Sequence, residues 1–217
     1  YSYKPENLLD IGCGTGEYSK LLTSNNLHVT GLDKSSYMIK KAKKKFKNNK
    51  YLKFVKGDLL KYKSKIKFDI ISALFHILSY QIKNSQIDKF FQNSANMLNK
   101  KGIIIFDFWF KPGVINLKQP NKFRKINNKN LKVIRLTNSI WFKKINRIDD
   151  IHELLIFKRK KLIKNFRETH QMRYFDLSFI KKKLSKHKLK FLTCLDLNTK
   201  NYPTKKSWGA LVIAQKN

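Results

Sequence analysis

A length of 217 residues suits one domain, or one domain with a sizeable insertion. With 41% hydrophobic and 13% aromatic residues the chain is not disordered. No apolar run approaches the roughly 20 residues of a membrane span, and nothing resembles a signal peptide. Two cysteines, Cys13 and Cys194, exclude a disulfide framework, and no Cys/His cluster has metal-ligand spacing, so no metal is expected and the cytoplasm is the default location.

The first half alternates strand and helix, the pattern of a doubly wound, mostly parallel α/β sheet. Leu8 to Ile11 is a short apolar strand that runs into a glycine loop, and Glu17 to Thr23 reads as the following helix. Val29 to Asp33 is a second strand, after which Ser35 or Ser36 caps a helix through Lys47. Leu52 to Lys56 is a third strand, ending at Gly57-Asp58. Phe68 to Phe75 is nearly continuously apolar, as a central strand buried on both faces should be. Ile87, Phe90, Phe91, Ala95 and Leu98 recur at helical spacing, predicting a helix over Ser85 to Leu98. Asn99 to Gly102 reads as a turn and Ile103 to Phe108 as the fifth strand.

The pattern then changes. Between Asn116 and Tyr174 an antiparallel β insertion is expected, with ribbons at Leu131 to Phe142, Asp149 to Arg159 and Lys161 to Tyr174. The doubly wound pattern resumes with a helix from Leu177 to His187 and strands from Phe191 to Leu197 and Trp208 to Gln215.

Ligands of open parallel sheets bind outside the carboxyl ends of the strands. Three acids lie at such ends. Asp33, 17 residues after Gly16, is placed for a ribose diol, and Asp58 for the exocyclic amine of an adenine. Asp10 is near where the ammonium of an amino-acid tail would lie. The loop Asp10-Ile11-Gly12-Cys13-Gly14-Thr15-Gly16 spaces its glycines as GxGxG, not the GxGxxG of nicotinamide sites.

Leu8 to Leu22, Gly31-Leu32-Asp33 and Val55-Lys56-Gly57-Asp58-Leu59 together resemble the first three motifs of class I S-adenosylmethionine-dependent methyltransferases. Four further stretches, Leu74 to Gln81, Phe106 to Trp109, Arg167 to Tyr174 and Trp208-Gly209, look like a small-molecule branch of that family. This branch is similar to N-methyltransferases of nucleotide-linked amino sugars and to relatives found with surface-polysaccharide genes. The resemblance implies a Rossmann-like fold and S-adenosylmethionine as cofactor. It implies a cofactor site of Asp10, Gly12, Cys13, Gly14, Gly16, Asp33, Lys34, Met38, Gly57, Asp58, Leu59 and Leu74. Folds of this family normally carry one or two helices before the first strand. Because the chain opens at Tyr1, an N-terminal segment is expected to be missing.

An amine or hydroxyl acceptor must shed a proton, so a base near the end of the fourth strand is useful. His76 occupies that place, unless it merely caps or packs against the next helix. Tyr80 either positions substrate or packs, and Trp109 either walls the acceptor site or belongs to the core. Alternation puts Glu168 and His170 on one face of the third ribbon, where they can pair as a base and its orienter. Arg167 and Arg173 take the other face, as ligands for a sugar-linked phosphate or as members of a solvated ribbon.

The formal charge is +34. It reads either as a polyanion-binding surface or as coding bias, because 42 lysines stand against six arginines. Either way it favours an anionic acceptor. A nucleic-acid substrate is possible but not favoured. Ser72-Ala73-Leu74-Phe75 stands where a base methylase would want Asn/Asp-Pro-Pro-Tyr, and no Pro-Cys nucleophile is present. A non-catalytic binding module is disfavoured by the intact set of acids. The expected protein is a methyltransferase of a small anionic metabolite, N-transfer before O-transfer, its insertion forming a lid and offering a homodimer surface.

Overall fold

Short strands apolar on both faces need cover on both sides, and the sequence supplies a helix after each of the first two and the fourth. The structure, a computed structural model, describes residues 4–23, 27–118, 121–128 and 130–217. Tyr1, and residues 119, 120 and 129 of the expected insertion, lie outside these. Strands β1 (Asn7–Ile11), β2 (His28–Asp33), β3 (Leu52–Lys56), β4 (Phe68–Ala73) and β5 (Leu98–Phe110) pair in parallel in the order β3-β2-β1-β4-β5. Helix α1 (Glu17–Leu22) follows β1, α2 (Ser36–Lys45) follows β2, and α3 (Asn84–Met97) follows β4. Ser35 caps α2, its hydroxyl accepting from Met38 N at 3.3 Å.

Beyond β5 the chain adds α4 (Lys111–Leu117) and four antiparallel strands, β6 (Lys122–Asn128), β7 (Leu131–Phe142), β8 (Arg147–Lys158) and β9 (Lys161–Phe175). The end of β9 rejoins the main sheet, with Tyr174 and Phe175 paired to Trp109 and Phe110 of β5. Helix α5 (Leu177–Lys186) leads into β10 (Leu189–Asp196), and β11 (Gly209–Lys216) inserts antiparallel between β5 and β10.

Phe54 packs with Ile39 and Ala42 of α2, whereas its neighbour Val55 packs on the main core. Consecutive strand residues point to opposite faces, so the sheet is covered on both. The main core gathers Leu9, Ile71, Phe90, Phe91, Phe106 and Phe108, all fully buried, with Ile180 and Leu184 of α5. Cys13 and Cys194 are both buried and unbonded, and among the described residues no helix is long and apolar enough to cross a membrane.

Asp88 clamps α3 to α5. It accepts from Lys183 Nζ at 2.9 Å and lies 3.2 Å from Lys186 Nζ and 3.1 Å from His187 Nε2. Burial pushes its carboxyl up, but the hydrogen bonds from Lys183, His187 and Lys186 and the Lys183 charge outweigh burial and hold it well below the usual carboxylate range. A depressed native pKa stabilises the fold above the unfolded carboxylate value of roughly 4, and the contribution is lost as pH falls through the native value. Asp88→Asn is expected to cost about 1.5–3 kcal/mol at neutral pH. Urea unfolding should show that difference shrinking as pH drops below about 4.

Three expectations need correction. Asn99 to Gly102 is no separate turn: β5 begins at Leu98, and Lys101 takes a left-handed φ of 62° within it. The fourth strand stops at Ala73, two residues before Phe75, because Phe75 and His76 both turn left-handed, at φ 62° and 64°. The insertion carries a fourth strand, β6, and the preceding helix α4, neither of which the pattern revealed. Strand β6 is exposed along its whole length, so no apolar alternation marks it.

Candidate active site

The glycine loop turns between β1 and α1 with Gly12, Gly14 and Gly16 at φ 74°, 54° and 83°, a region glycine enters without steric cost. Gly12 N and Cys13 N donate to Leu32 O at 2.7 and 3.2 Å, fastening the loop to β2. Asp33 holds it from the side. Its Oδ2 accepts from Gly14 N at 2.9 Å and its Oδ1 from Ser35 N at 2.8 Å. A carboxylate oxygen can accept twice, so both retain a lone pair for a ligand.

Around this loop lies a cleft of about 670 Å³, lined by Gly12, Asp33, Lys34, Gly57, Asp58 and Leu59 among others. Six residues of the expected cofactor set therefore meet here. A nucleoside with a charged tail fits them: Asp33 faces the space as a diol acceptor, and Asp58 spends only Oδ1, on Leu60 N at 2.9 Å. A Cβ at Gly14 would meet no atom within 4 Å, leaving open room for a close approach.

The other members of the set do not line the cleft. Asp10 is buried and turned away from the cleft, accepting from Ser19 Oγ at 2.6 Å and Ser72 Oγ at 2.9 Å. Burial pushes its carboxyl up, against the two serine hydroxyls. Cys13 packs with Ile39, Ala42 and Phe54, and its thiol is pushed up to about 12, chiefly by burial. A Cβ at Gly16 would strike the Phe54 ring. Met38 is partly exposed on α2 and Leu74 half-buried, and neither lines the cleft.

His76 sits where the left-handed pair throws it, beyond the end of β4 and over β5. Its backbone N–H donates to Oδ1 of buried Asp107 at 2.8 Å, and its Nδ1 lies 2.9 Å from Oδ2, close but not aligned as a hydrogen bond. A left-handed non-glycine residue costs on the order of 1–3 kcal/mol and persists only where its surroundings impose it. The His76 ring stands edge-on to Trp109 with centroids 6.2 Å apart, and Trp109 edge-on to Trp208 at 5.2 Å. A Cβ on Gly209 would come within 3.2 Å of His76 Cε1, so glycine after Trp208 leaves the imidazole its room.

Trp109 and Trp208 wall a second cavity of about 190 Å³, closed by the ribbon residues Arg135, Thr137, Ser139, Trp141, Asp150 and His152, with Lys122 and Ile148. Cleft and cavity approach each other at two places. Ile77, next to His76, lines the cleft, while Trp109 lines the cavity. The rings of His152 in the cavity and His170 in the cleft lie 4.9 Å apart.

Glu168 and His170 do share a face, with Oε2 3.5 Å from Nε2. Tyr80 Oη lies 2.9 Å from His170 Nδ1. Burial, then the charges of Asp150 and Glu168, push the Tyr80 phenol up, so it stays protonated beside the imidazole. The two arginines take other places. Arg173 is spent on Ile82 O (3.1 Å) and Asn84 Oδ1 (2.8 Å) and stacks over Phe175 and Phe179. Arg167 is exposed, across from Glu153 on the face away from the cavity. The sequence reading missed the cavity lining on β7 and β8. Its signal was there, in the alternation of Arg135, Thr137, Ser139 and Trp141 and of Ile148, Asp150 and His152.

Residues 8–102 match the model of a family described as a methyltransferase domain. Malonyl-[acyl-carrier protein] O-methyltransferase 2 of Ilyobacter polytropus is 32% identical over 119 residues, 54% of this chain and 44% of that protein. The matched curated relatives are covered over only 41% to 60% of their own length. An S-adenosylmethionine-dependent methyltransferase from Clostridium acetobutylicum superposes with a TM-score of 0.81 at 20% identity, covering 98% of this chain and 84% of that one. The sugar N-methyltransferase KedS8 from Streptoalloteichus sp. superposes with a TM-score of 0.83 at 17% identity, covering 98% and 81%. Residues 8–102 thus carry a methyltransferase domain, and the whole chain has the fold of S-adenosylmethionine-dependent methyltransferases.

Proposed function

We propose that the chain transfers the methyl group of S-adenosylmethionine to a small-molecule acceptor, an amine of a nucleotide-linked or surface-polysaccharide sugar. The cofactor, when bound, supplies an electrophilic methyl on a sulfonium. Asp33 and Asp58 hold its ribose and adenine, and the glycine loop lets its tail approach. The residues between cleft and cavity do the rest.

The second cavity carries this reading. At about 190 Å³ it lies below the roughly 300–1,000 Å³ of sites that enclose drug-sized ligands. It suits a single sugar ring. Its tryptophans offer ring faces to an amine cation, and Asp150 a carboxylate. His76, held beside Asp107 through its backbone N–H and edge-on to Trp109 of the cavity wall, is the base that accepts the amine proton. Burial, then His170 and Arg135, hold the His152 pKa down, so His152 is neutral in the cavity at neutral pH. His170, fixed by Tyr80 and Glu168, closes the cleft from the ribbon side. The fold likeness to KedS8, whose name gives a sugar N-methyltransferase, supports the same acceptor class.

A second reading is O-transfer, favoured by the O-methyltransferase name of the Ilyobacter relative. One assay separates the two: incubation with nucleotide-linked amino sugars and with counterparts bearing hydroxyl in place of amine. Mass gain by one methylene unit on the amines alone is expected. Gain on the hydroxyl set alone would transfer the assignment to O-methylation, and gain on neither would overturn the sugar acceptor.

A further inference from the structure

In the β6–β7 register Arg124 lies directly across from Arg135, and Lys122 across from Thr137. Cross-strand partners share a face, and Arg135, Thr137 and Lys122 line the second cavity, so Arg124 stands on that same face, one pair along. Like charges directly opposed destabilise a ribbon. No neighbour relieves them: the next residues across from Arg135 are Leu154 and then Phe166, both apolar. Among the described residues neither guanidinium has a carboxylate partner.

The choice of residue sharpens the point. Lysine is this chain's ordinary cation, 42 against six arginines. Two of the six oppose each other at the cavity, while Arg147 is paired with Asp149 and Arg173 is tied to Ile82 and Asn84. A guanidinium presents a planar fork that matches phosphate oxygens two at a time, which an ammonium cannot do.

We propose that Arg124 and Arg135 form a phosphate-binding fork at the rim of the second cavity. The fork holds the phosphate or diphosphate of the acceptor outside, while the sugar-sized end enters the cavity that Trp109 and Trp208 wall. This rests on the small-molecule reading above and narrows it to acceptors esterified to phosphate. It also moves the anion site from Arg167 and Arg173 to the opposite face of the ribbon.

The test is calorimetric titration of the whole chain, loaded with S-adenosylmethionine, with inorganic pyrophosphate and with inorganic phosphate. Wild type, Arg124→Gln, Arg135→Gln and the control Arg167→Gln are compared, each checked for native circular dichroism. Either fork variant should weaken pyrophosphate binding by about tenfold or more, and Arg167→Gln should leave it unchanged. Tighter binding of pyrophosphate than of phosphate would assign a diphosphate, and the reverse a monophosphate. No binding by wild type, or equal affinity in all four proteins, would overturn the fork. Methyl transfer is read separately. A fork that binds pyrophosphate in a protein that methylates no sugar would sustain this site and refute the acceptor reading.

Discussion

His76→Ala is expected to lower single-turnover methyl transfer by about 10²–10⁴-fold, the usual worth of a positioned base. Affinity for S-adenosylmethionine should stay within about twofold of wild type, because His76 does not line the cofactor cleft. The argument is geometric. A left-handed backbone at Phe75 and His76 sets the imidazole over Asp107, and Gly209 leaves it space. Asp107→Asn keeps an oxygen for the His76 N–H but removes the carboxylate beside Nδ1. It should therefore lower turnover with little change in the acceptor KM. Rapid-quench transfer of labelled methyl and equilibrium cofactor binding check both. Equal turnover in wild type and His76→Ala would sink the base assignment.

Asp33→Ala is expected to weaken S-adenosylmethionine binding by roughly 10–100-fold, the range of lost hydrogen bonds to a charged group. Two effects add. The carboxylate is lost as acceptor for the ribose diol, and the Gly14 and Ser35 amides lose the group that arranges them. Asp58→Ala should cost less, because the Asp58 carboxylate accepts from Leu60 N alone among the described residues and, in the proposed site, would make one adenine contact. Calorimetry on the three proteins measures the ranking. An Asp58 variant weaker in binding than the Asp33 variant would contradict it.

How far these features were legible depended on whether local chemistry or long-range contact decides them. The alternating strands and helices were readable because their apolar runs are short and bounded by glycine, asparagine and serine. The place of Asp33 and Asp58 at the cleft was readable too, since strand ends are where open sheets bind ligands. The serine contacts of Asp10 were not legible, because its strand-end position looks the same in sequence whether its side chain faces a ligand or Ser19 and Ser72. His76 was legible as a place but not as a pair: its partner Asp107 is 31 residues on, brought near by the β4–β5 pairing. The arginines failed for a similar reason. Alternation fixed which residues share a face of β9, but only the register with β8, β7 and β6 shows which face meets the cavity. The exposed strand β6, with Arg124, had no apolar pattern to announce it.

The central claim is that the acceptor is a small molecule and that the +34 charge is no sign of a polymer substrate. The most direct measurement gives the protein S-adenosylmethionine carrying a labelled methyl group, together with a lysate split into small-molecule and nucleic-acid fractions. The account predicts label in the small-molecule fraction, concentrated in sugar nucleotides. Label in RNA or DNA would contradict it.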